Sequence, residues 1–159
     1  NQDFSLIEKK WQKNLCYIPQ DLYLFEDTIE RNITLSKDKP NFKSLERAIN
    51  MSKLYKLVSK YAKKTKHKIK NSGIDLSGGQ RQRIGIARSL YINRNIIFLD
   101  ETTNALDEKT EAEILSSLKN EFKNKTVFII SHSKDLHKYV DRIIKIKNKK
   151  ITVTNSNAR

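Results

Sequence analysis

The stretch Leu76-Ser77-Gly78-Gly79-Gln80-Arg81-Gln82-Arg83 decides how this chain folds and what it can bind. Two adjacent glycines let backbone N–H groups approach an anion closely, and a helix that starts at them adds the positive end of its dipole. Apolar residues continue at helical spacing from Ile84 to Tyr91. We therefore predict a phosphate-docking turn at the start of a long helix.

A strand that ends in two carboxylates follows this helix. The apolar run Ile96 to Leu99 predicts a strand buried on both faces, and Asp100 and Glu101 come directly after it. A carboxylate at the carboxyl edge of a strand suits Mg²⁺ held through its waters, and its neighbour can polarise an attacking water. An Asp-Glu pair can also simply cap the next helix. The glycine turn and the helix that precede this strand favour metal and water handling.

Together these segments resemble the signature motif and the Walker B strand of the ABC-family ATPases. The resemblance implies a P-loop-NTPase-like α/β fold, in which a parallel sheet with crossover helices carries a small α-helical signature subdomain. It also implies that the signature faces the γ-phosphate of an ATP held by a second ABC ATPase domain, identical or related. The implied ATP contacts are Leu76, Ser77, Gly78, Gly79 and Gln80, and Asp100 and Glu101 become the metal ligand and the general base.

Two single residues extend the resemblance. Gln20 follows Tyr17-Ile18-Pro19 and resembles the Q-loop glutamine, which binds both Mg²⁺ and the attacking water. His132 follows the strand Thr126 to Ser131 and resembles the switch histidine at the γ-phosphate. Taken alone, each could be an ordinary loop amide or surface histidine, and it is the order of the motifs that favours function.

The segment Asn104-Ala105-Leu106-Asp107 resembles the D-loop, which crosses to the partner's site and places Asp107 among the nucleotide contacts. It departs from the commoner Ser-Ala-Leu-Asp at Asn104. Asparagine still offers a donor and an acceptor. The departure therefore changes the details of the hydrogen bonds to the partner, while the role of the segment as a D-loop is kept.

A P-loop is missing from this sequence. The pattern G-x-x-x-x-G-K-[ST] needs a glycine followed by lysine, and none of the four glycines is followed by one. We therefore expect the chain to be the carboxyl-terminal portion of an ABC ATPase domain, cut after the P-loop and without the N-terminal β portion. Such a fragment should not hydrolyse ATP by itself.

Two regions are predicted within the chain. Residues from about 20 to 80 form the Q-loop and the helical and signature subdomain, and residues from about 81 to 153 form the core with the Walker B strand, D-loop and switch histidine. A helical turn at Phe4 to Asn14 and a frayed tail at Thr154 to Arg159 flank them. The other predicted elements are a strand Leu15 to Ile18, helices Thr28 to Ile33, Phe42 to Ala62, Glu108 to Phe122 and Lys134 to Tyr139, a buried strand Thr126 to Ile130, and a hairpin of Arg142 to Lys147 with Lys150 to Val153.

Composition narrows the function further. The net charge of +14 is spread along the chain, with local density at Lys60 to Lys70 and at Lys145 to Lys150. This spread favours solvated faces over a nucleic-acid patch or contact with an anionic membrane. The lone Cys16 lies in an apolar stretch and predicts a buried, reduced thiol rather than a disulfide. Trp11, Phe98 and Phe128 are expected in the core.

The segments Gln20 to Ile29 and Tyr139 to Ile144 resemble exporters, in which a membrane domain is fused upstream of the ATPase. This implies a place at the cytoplasmic face of the cell membrane and a role in powering export or the flipping of lipid-linked glycans. An exporter-type Glu-x-Gly element is replaced by Asn71-Ser72-Gly73, so a charge that could grip the membrane domain is missing. One alternative is an ABC ATPase acting on nucleic acid or ribosomes, although such proteins usually end the signature in Glu rather than Gln80. The other is a catalytically idle interaction module.

Overall fold

A three-stranded parallel sheet forms the centre of the computed structural model, which describes residues 11–156. Its order is β1-β2-β3, with Ile18 opposite Leu99 and Asp100 opposite Ile130. A separate antiparallel hairpin, β4-β5, follows. The predicted α/β fold with parallel strands is therefore confirmed. The strands are β1 (Leu15–Ile18), β2 (Ile96–Asp100), β3 (Thr126–Ile130), β4 (Arg142–Lys147) and β5 (Lys150–Asn155).

Five α-helices connect or flank the strands in the described part of the chain. Thr28 caps α1, because its hydroxyl accepts from the Arg31 N–H at 3.1 Å. The predicted helix Phe42 to Ala62 is two helices, α2 and α3, since the chain turns between them with Lys53 at a positive φ of 57°. The helices are α1 (Ile29–Thr34), α2 (Phe42–Met51), α3 (Tyr55–Ser59), α4 (Gly78–Ile92) and α5 (Glu108–Glu121), and 3₁₀ turns lie at Lys64–Lys66, Asn71–Gly73 and Lys134–Lys138.

The core lies between one face of the sheet and the helices. Ile97 and Leu99 of β2 are fully buried there, together with Ile84 of α4 and Ile114 of α5. Helix α4 approaches β1 closely at Gly85, where an added Cβ would lie 2.8 Å from Ile18 Cγ2. Glycine is required at that contact because a side chain would push the helix off the strand. Cys16 is buried and free, as predicted.

The opposite face of the sheet is partly exposed, so the prediction of strands buried on both faces is wrong. Tyr17 and Phe128 are 53% and 39% exposed, and Phe98 stacks on Phe128 with ring centroids 4.5 Å apart. The reason is the alternation of side chains along a strand, which sends Ile97 and Leu99 inward and Phe98 outward. In residues 11–156 this second face remains largely uncovered. Trp11 is 51% exposed as well, so its expected place in the core is wrong.

The two ends of the chain were predicted in part. Of the helical turn expected at Phe4 to Asn14, residues 11 and 12 are helical and residues 1–10 lie outside the described part. The hairpin is confirmed, with Asn148 and Lys149 both at positive φ as a two-residue turn requires. Strand β5 continues through Thr154 and Asn155, so the frayed tail is wrong for those two residues. The sequence predicts an α-helix from Lys134 to Tyr139, but the structure has a 3₁₀ turn at Lys134–Lys138 there. No helix between residues 11 and 156 has the length and apolar character needed to cross a bilayer.

Candidate functional site

The carboxyl edge of the parallel sheet brings Glu101 and His132 together. Glu101 directly follows β2, and its N–H donates to the Ile130 carbonyl of β3 at 2.9 Å. His132 lies two residues beyond β3, with its Nε2 3.1 Å from Glu101 Oε1. Because parallel strands end at the same edge, the sequence predicts this meeting, and the structure shows it.

Glu101 is held in an unusual backbone conformation. Its φ is 48°, in the left-handed region, which costs a residue other than glycine about 1–3 kcal/mol and is typical of functional sites. Asn104 Nδ2 donates to Oε2 at 2.7 Å, so a separate partner contacts each carboxylate oxygen. The glutamate side chain is only 17% exposed, whereas the His132 side chain is 86% exposed and accessible to a ligand.

Asp100, the predicted metal ligand, ends β2 beside β1. Its Oδ2 accepts from the Tyr17 hydroxyl at 2.9 Å, and this hydrogen bond raises the pKa of Tyr17. Gln20 follows β1 and faces the start of α4 across a cleft of about 420 Å³, which is also lined by Gly78 and Gln82. Carboxylate and amide oxygens are thus present at the ends of two neighbouring strands.

Helix α4 begins at Gly78, as the glycine turn in the sequence predicts. Ser77 Oγ accepts from the Gln80 N–H at 3.2 Å, and Gln80 Oε1 accepts from the Ser77 N–H at 3.0 Å, which is a complete capping box. First-turn N–H groups such as those of Gly78 and Gly79 have no intrahelical acceptor and point outward with the positive end of the helix dipole. Leu76 differs from its neighbours because its side chain is buried in the core, leaving its backbone for any ligand contact.

The segment Asn104–Asp107 packs directly against this helix start. A Cβ on Gly79 would lie 2.8 Å from the Ala105 carbonyl oxygen, and one on Gly78 would lie 3.3 Å from Ala105 Cβ. Asp107 caps α5 by accepting from the Thr110 N–H at 3.0 Å, and this hydrogen bond lowers the pKa of Asp107. The Asp107 carboxylate thus interacts with its own helix, and its contact with nucleotide stays a prediction.

Three structural residues were missed from the sequence. Arg88 is buried and donates to the carbonyls of Tyr23 and Asn32, at 2.8 and 2.5 Å, and burial lowers the pKa of Arg88 to about 10. The sequence did hold an indication that Arg88 is buried, because this charged residue lies among the apolar residues of α4. Glu111 accepts from Thr103 at 2.8 Å and from Ser133 at 3.3 Å, which ties the two loops of the site together.

The third residue is Gln82, one helical turn after the glycines. Its Nε2 donates to the Glu101 carbonyl at 3.1 Å and its Oε1 accepts from the Ala105 N–H at 2.8 Å. No sequence signal distinguished it, because a glutamine between two arginines is typical of a solvated helix face.

Comparison with known proteins decides the family. The family model of ABC transporters matches residues 1–104. The chain belongs to the ABC transporter family. Its resemblance to exporter-type ABC ATPases, stated from the motifs alone, is thereby confirmed, and ATP is the ligand that the ABC transporter family implies for this site.

The similar proteins include a multidrug resistance-like ATP-binding protein, a lipid A-core flippase and a solved ABC exporter. The chain is 37% identical over 150 residues to the multidrug resistance-like ATP-binding protein MdlA of Buchnera aphidicola subsp. Baizongia pistaciae, covering 94% of the chain and 26% of MdlA. It is 35% identical over 140 residues to the ATP-dependent lipid A-core flippase of Desulfotalea psychrophila, covering 88% of the chain and 24% of the flippase. The structure of a bacterial Atm1-family ABC exporter with ATP bound superposes with a TM-score of 0.83 at 28% identity, covering 91% of the chain and 26% of the exporter. The chain thus spans about a quarter of the length of these proteins.

Proposed function

We propose that this chain is the carboxyl-terminal part of the ATP-binding domain of an ABC exporter, and that ATP hydrolysis there drives export or the flipping of a lipid-linked glycan. The observation that carries the proposal is the 3.1 Å contact between Glu101 and His132 at the carboxyl edge of the sheet. The relatives MdlA and the lipid A-core flippase support the transport role by their names.

In this proposal Glu101 is the general base. A water attacks the γ-phosphorus of ATP, its proton passes to the Glu101 carboxylate, and the bond to the β-phosphate oxygen breaks, leaving ADP and phosphate. His132 Nε2, which contacts Glu101 Oε1 in the structure, turns to donate to a γ-phosphate oxygen. The exposure of the histidine side chain leaves it free to make that exchange.

Asp100 and Gln20 are the residues proposed to hold Mg²⁺. Within residues 11–156, no cluster of three or more His, Cys, Asp or Glu side chains could enclose a metal ion. The oxygens of Asp100 and Gln20 suit Mg²⁺, which keeps several waters and takes its other ligands from one or two protein oxygens and the substrate phosphates. When bound, the ion would neutralise charge that develops on the phosphate oxygens.

The active unit is proposed to be a pair of ATP-binding domains. The signature residues Ser77 to Gln80 of one domain would contact the γ-phosphate on the other, where a P-loop holds the nucleotide. The P-loop itself is absent from this sequence, so the chain alone is expected not to hydrolyse ATP. A membrane domain fused upstream would place the pair at the cytoplasmic face of the cell membrane.

The alternative of an ABC ATPase acting on nucleic acid gains no support from the lysine-rich segment Lys60–Lys70. Lys66 pairs with the buried Glu30 at 2.6 Å, and the Ile29 N–H donates to the His67 carbonyl at 3.0 Å, so the segment is partly fixed to α1. The other lysines there are exposed, as solvated surface lysines are.

The proposal is tested with Ser77→Arg in the protein that contains this chain and a P-loop. The large cation should block dimer formation with ATP and leave ATP binding to the same subunit nearly intact. Asn41→Arg is the matched control, because Asn41 caps α2 through the Ser44 N–H at 3.0 Å and belongs to no signature. Size-exclusion chromatography and nucleotide binding provide the readouts. Equal loss of dimer and nucleotide binding in Ser77→Arg would contradict the paired arrangement.

A further inference from the structure

The side chain of Gln82 joins three parts of the site. Helix α4 carries Ser77 at its start, and Gln82 lies one turn further along, on the same face as Gly78 and Gly79. From there its amide reaches the Glu101 carbonyl at 3.1 Å and the Ala105 N–H at 2.8 Å. The bridge thus connects the signature helix, the general base and the D-loop.

The chemistry of the bridge requires an amide. One end must donate to a carbonyl and the other must accept from an N–H, and among side chains of this length only glutamine does both. The two hydrogen bonds also fix the orientation of the amide, since the reverse orientation would place like groups together. A glutamate would keep the acceptor for Ala105 and lose the donor for Glu101.

The bridge acts at a residue with a strained backbone conformation. Glu101 has a φ of 48°, and its N–H is fixed on the sheet side by the Ile130 carbonyl at 2.9 Å. On the other side the Glu101 carbonyl accepts from the Gln82 amide and, at 3.3 Å, from the Asn104 N–H. Gln82 is therefore the side chain that fixes the Glu101 carbonyl, while the sheet fixes the Glu101 N–H, and together they hold the residue whose carboxylate contacts His132.

We propose that Gln82 is a positioning residue for ATP hydrolysis, which fixes Glu101 and the D-loop relative to the signature helix. This inference rests on the proposed function and adds a residue to it.

The test uses two substitutions and one control. Gln82→Met keeps the volume and removes both hydrogen bonds, and Gln82→Glu keeps the bond to Ala105 alone. Ser89→Ala is the control, because Ser89 is buried on the same helix and its hydroxyl donates only to the Ile86 carbonyl, at 2.8 Å. Amide hydrogen exchange at Ala105 and the constants kcat and KM for ATP are all measured in the protein that contains this chain and a P-loop.

We expect Ala105 exchange to rise about 10-fold or more in Gln82→Met and to stay at the parental rate in Gln82→Glu. We expect kcat to fall about 10-fold or more in both variants while KM for ATP changes less than about twofold, because misplacement of a catalytic group affects the chemical step. Ser89→Ala should leave both constants within about twofold of parental.

Parental kcat in Gln82→Met would overturn the positioning role, and so would unchanged exchange at Ala105. If Gln82→Met raised KM as much as it lowered kcat, and also lowered the unfolding midpoint, the positioning role would be overturned too. Gln82 would then be a structural residue. If the parental protein does not hydrolyse ATP, the proposed function itself fails, and the exchange measurement still reports whether the bridge exists.

Discussion

His132 Nε2 lies 3.1 Å from Glu101 Oε1, although the two residues follow different strands of the sheet. The contact depends on the register, because Asp100 pairs with Ile130 and each strand then ends at the same level. One residue of slip in β3 would move His132 away from the carboxylate. The geometry of the proposed active site is therefore a property of strand pairing.

Glu101→Gln should lower ATP hydrolysis by at least about 10²-fold in the protein that contains this chain and a P-loop, because the amide keeps the shape and loses the base. ATP binding should survive, and an ATP-bound dimer should accumulate as a doubled mass in size-exclusion chromatography. His132→Ala should also slow hydrolysis, by loss of the γ-phosphate contact.

The control for this change is Glu108→Gln, the same substitution at the exposed first residue of α5. It should hydrolyse ATP at the parental rate. Parental hydrolysis by Glu101→Gln would remove Glu101 from the mechanism, together with the role assigned to Asp100 beside it.

Gly79→Ala and Gly78→Ala should differ although the residues are neighbours. The new methyl at position 79 would meet the backbone oxygen of Ala105 at 2.8 Å, whereas that at position 78 would meet a methyl group at 3.3 Å. We expect Gly79→Ala to lower the free energy of unfolding by about 1–3 kcal/mol, and Gly78→Ala to change it by less than about 1 kcal/mol. Urea unfolding of the chain measures both, and a loss below about 1 kcal/mol for Gly79→Ala would show that the segment Asn104–Asp107 moves aside at little cost.

Arg88→Met should destabilise the chain by about 2–4 kcal/mol, because the carbonyls of Tyr23 and Asn32 lose their guanidinium donor inside the fold. Arg31→Met is the control. Arg31 pairs with Asp27 at the surface, at 2.5 Å, and loss of that pair should cost less than about 1 kcal/mol. Urea unfolding again provides the measurement. Equal stability of Arg88→Met and the parental chain would mean that the cost of burying the guanidinium offsets its hydrogen bonds.

Asp107 should make the stability of the chain depend on acid pH. The Thr110 N–H lowers the pKa of Asp107 in the folded state, so the charged carboxylate stabilises the fold. That contribution is fully present above the unfolded pKa of about 3.9 and is lost as the pH falls through the lower folded value. Asp107→Asn keeps the cap without the charge, and its unfolding free energy should fall less between about pH 5 and pH 2. Parallel pH profiles for the two proteins would exclude this titration.

The elements of the site could be predicted from local signals. Two glycines before an apolar periodicity predict the start of α4, and an apolar run ending in Asp100 predicts the edge of the sheet. Contacts that depend on three-dimensional packing could not be predicted in this way. Gln82 meets Ala105 only because Gly79 lets the D-loop approach, and no spacing in the sequence encodes that approach.

Burial was harder to predict than secondary structure. An apolar strand such as Thr126–Ile130 predicts a core position, but whether both faces are covered depends on which elements pack there. The structure leaves Phe128 and Ile130 exposed in its described part. The break between α2 and α3 was missed for a similar reason, because the turn at Lys53 lies inside a continuous apolar periodicity.

The β4-β5 hairpin has a kinetic consequence. It forms its own two-stranded sheet, and its residues pair across the strands, as Ile146 does with Ile151, while both remain mostly exposed. Isolated hairpins are marginally stable in water, so this segment is able to open while the parallel sheet stays closed. The hairpin and the parallel sheet therefore open as two separate units. A protease should cut near Asn148 well before it cuts the strands that position Glu101 and His132.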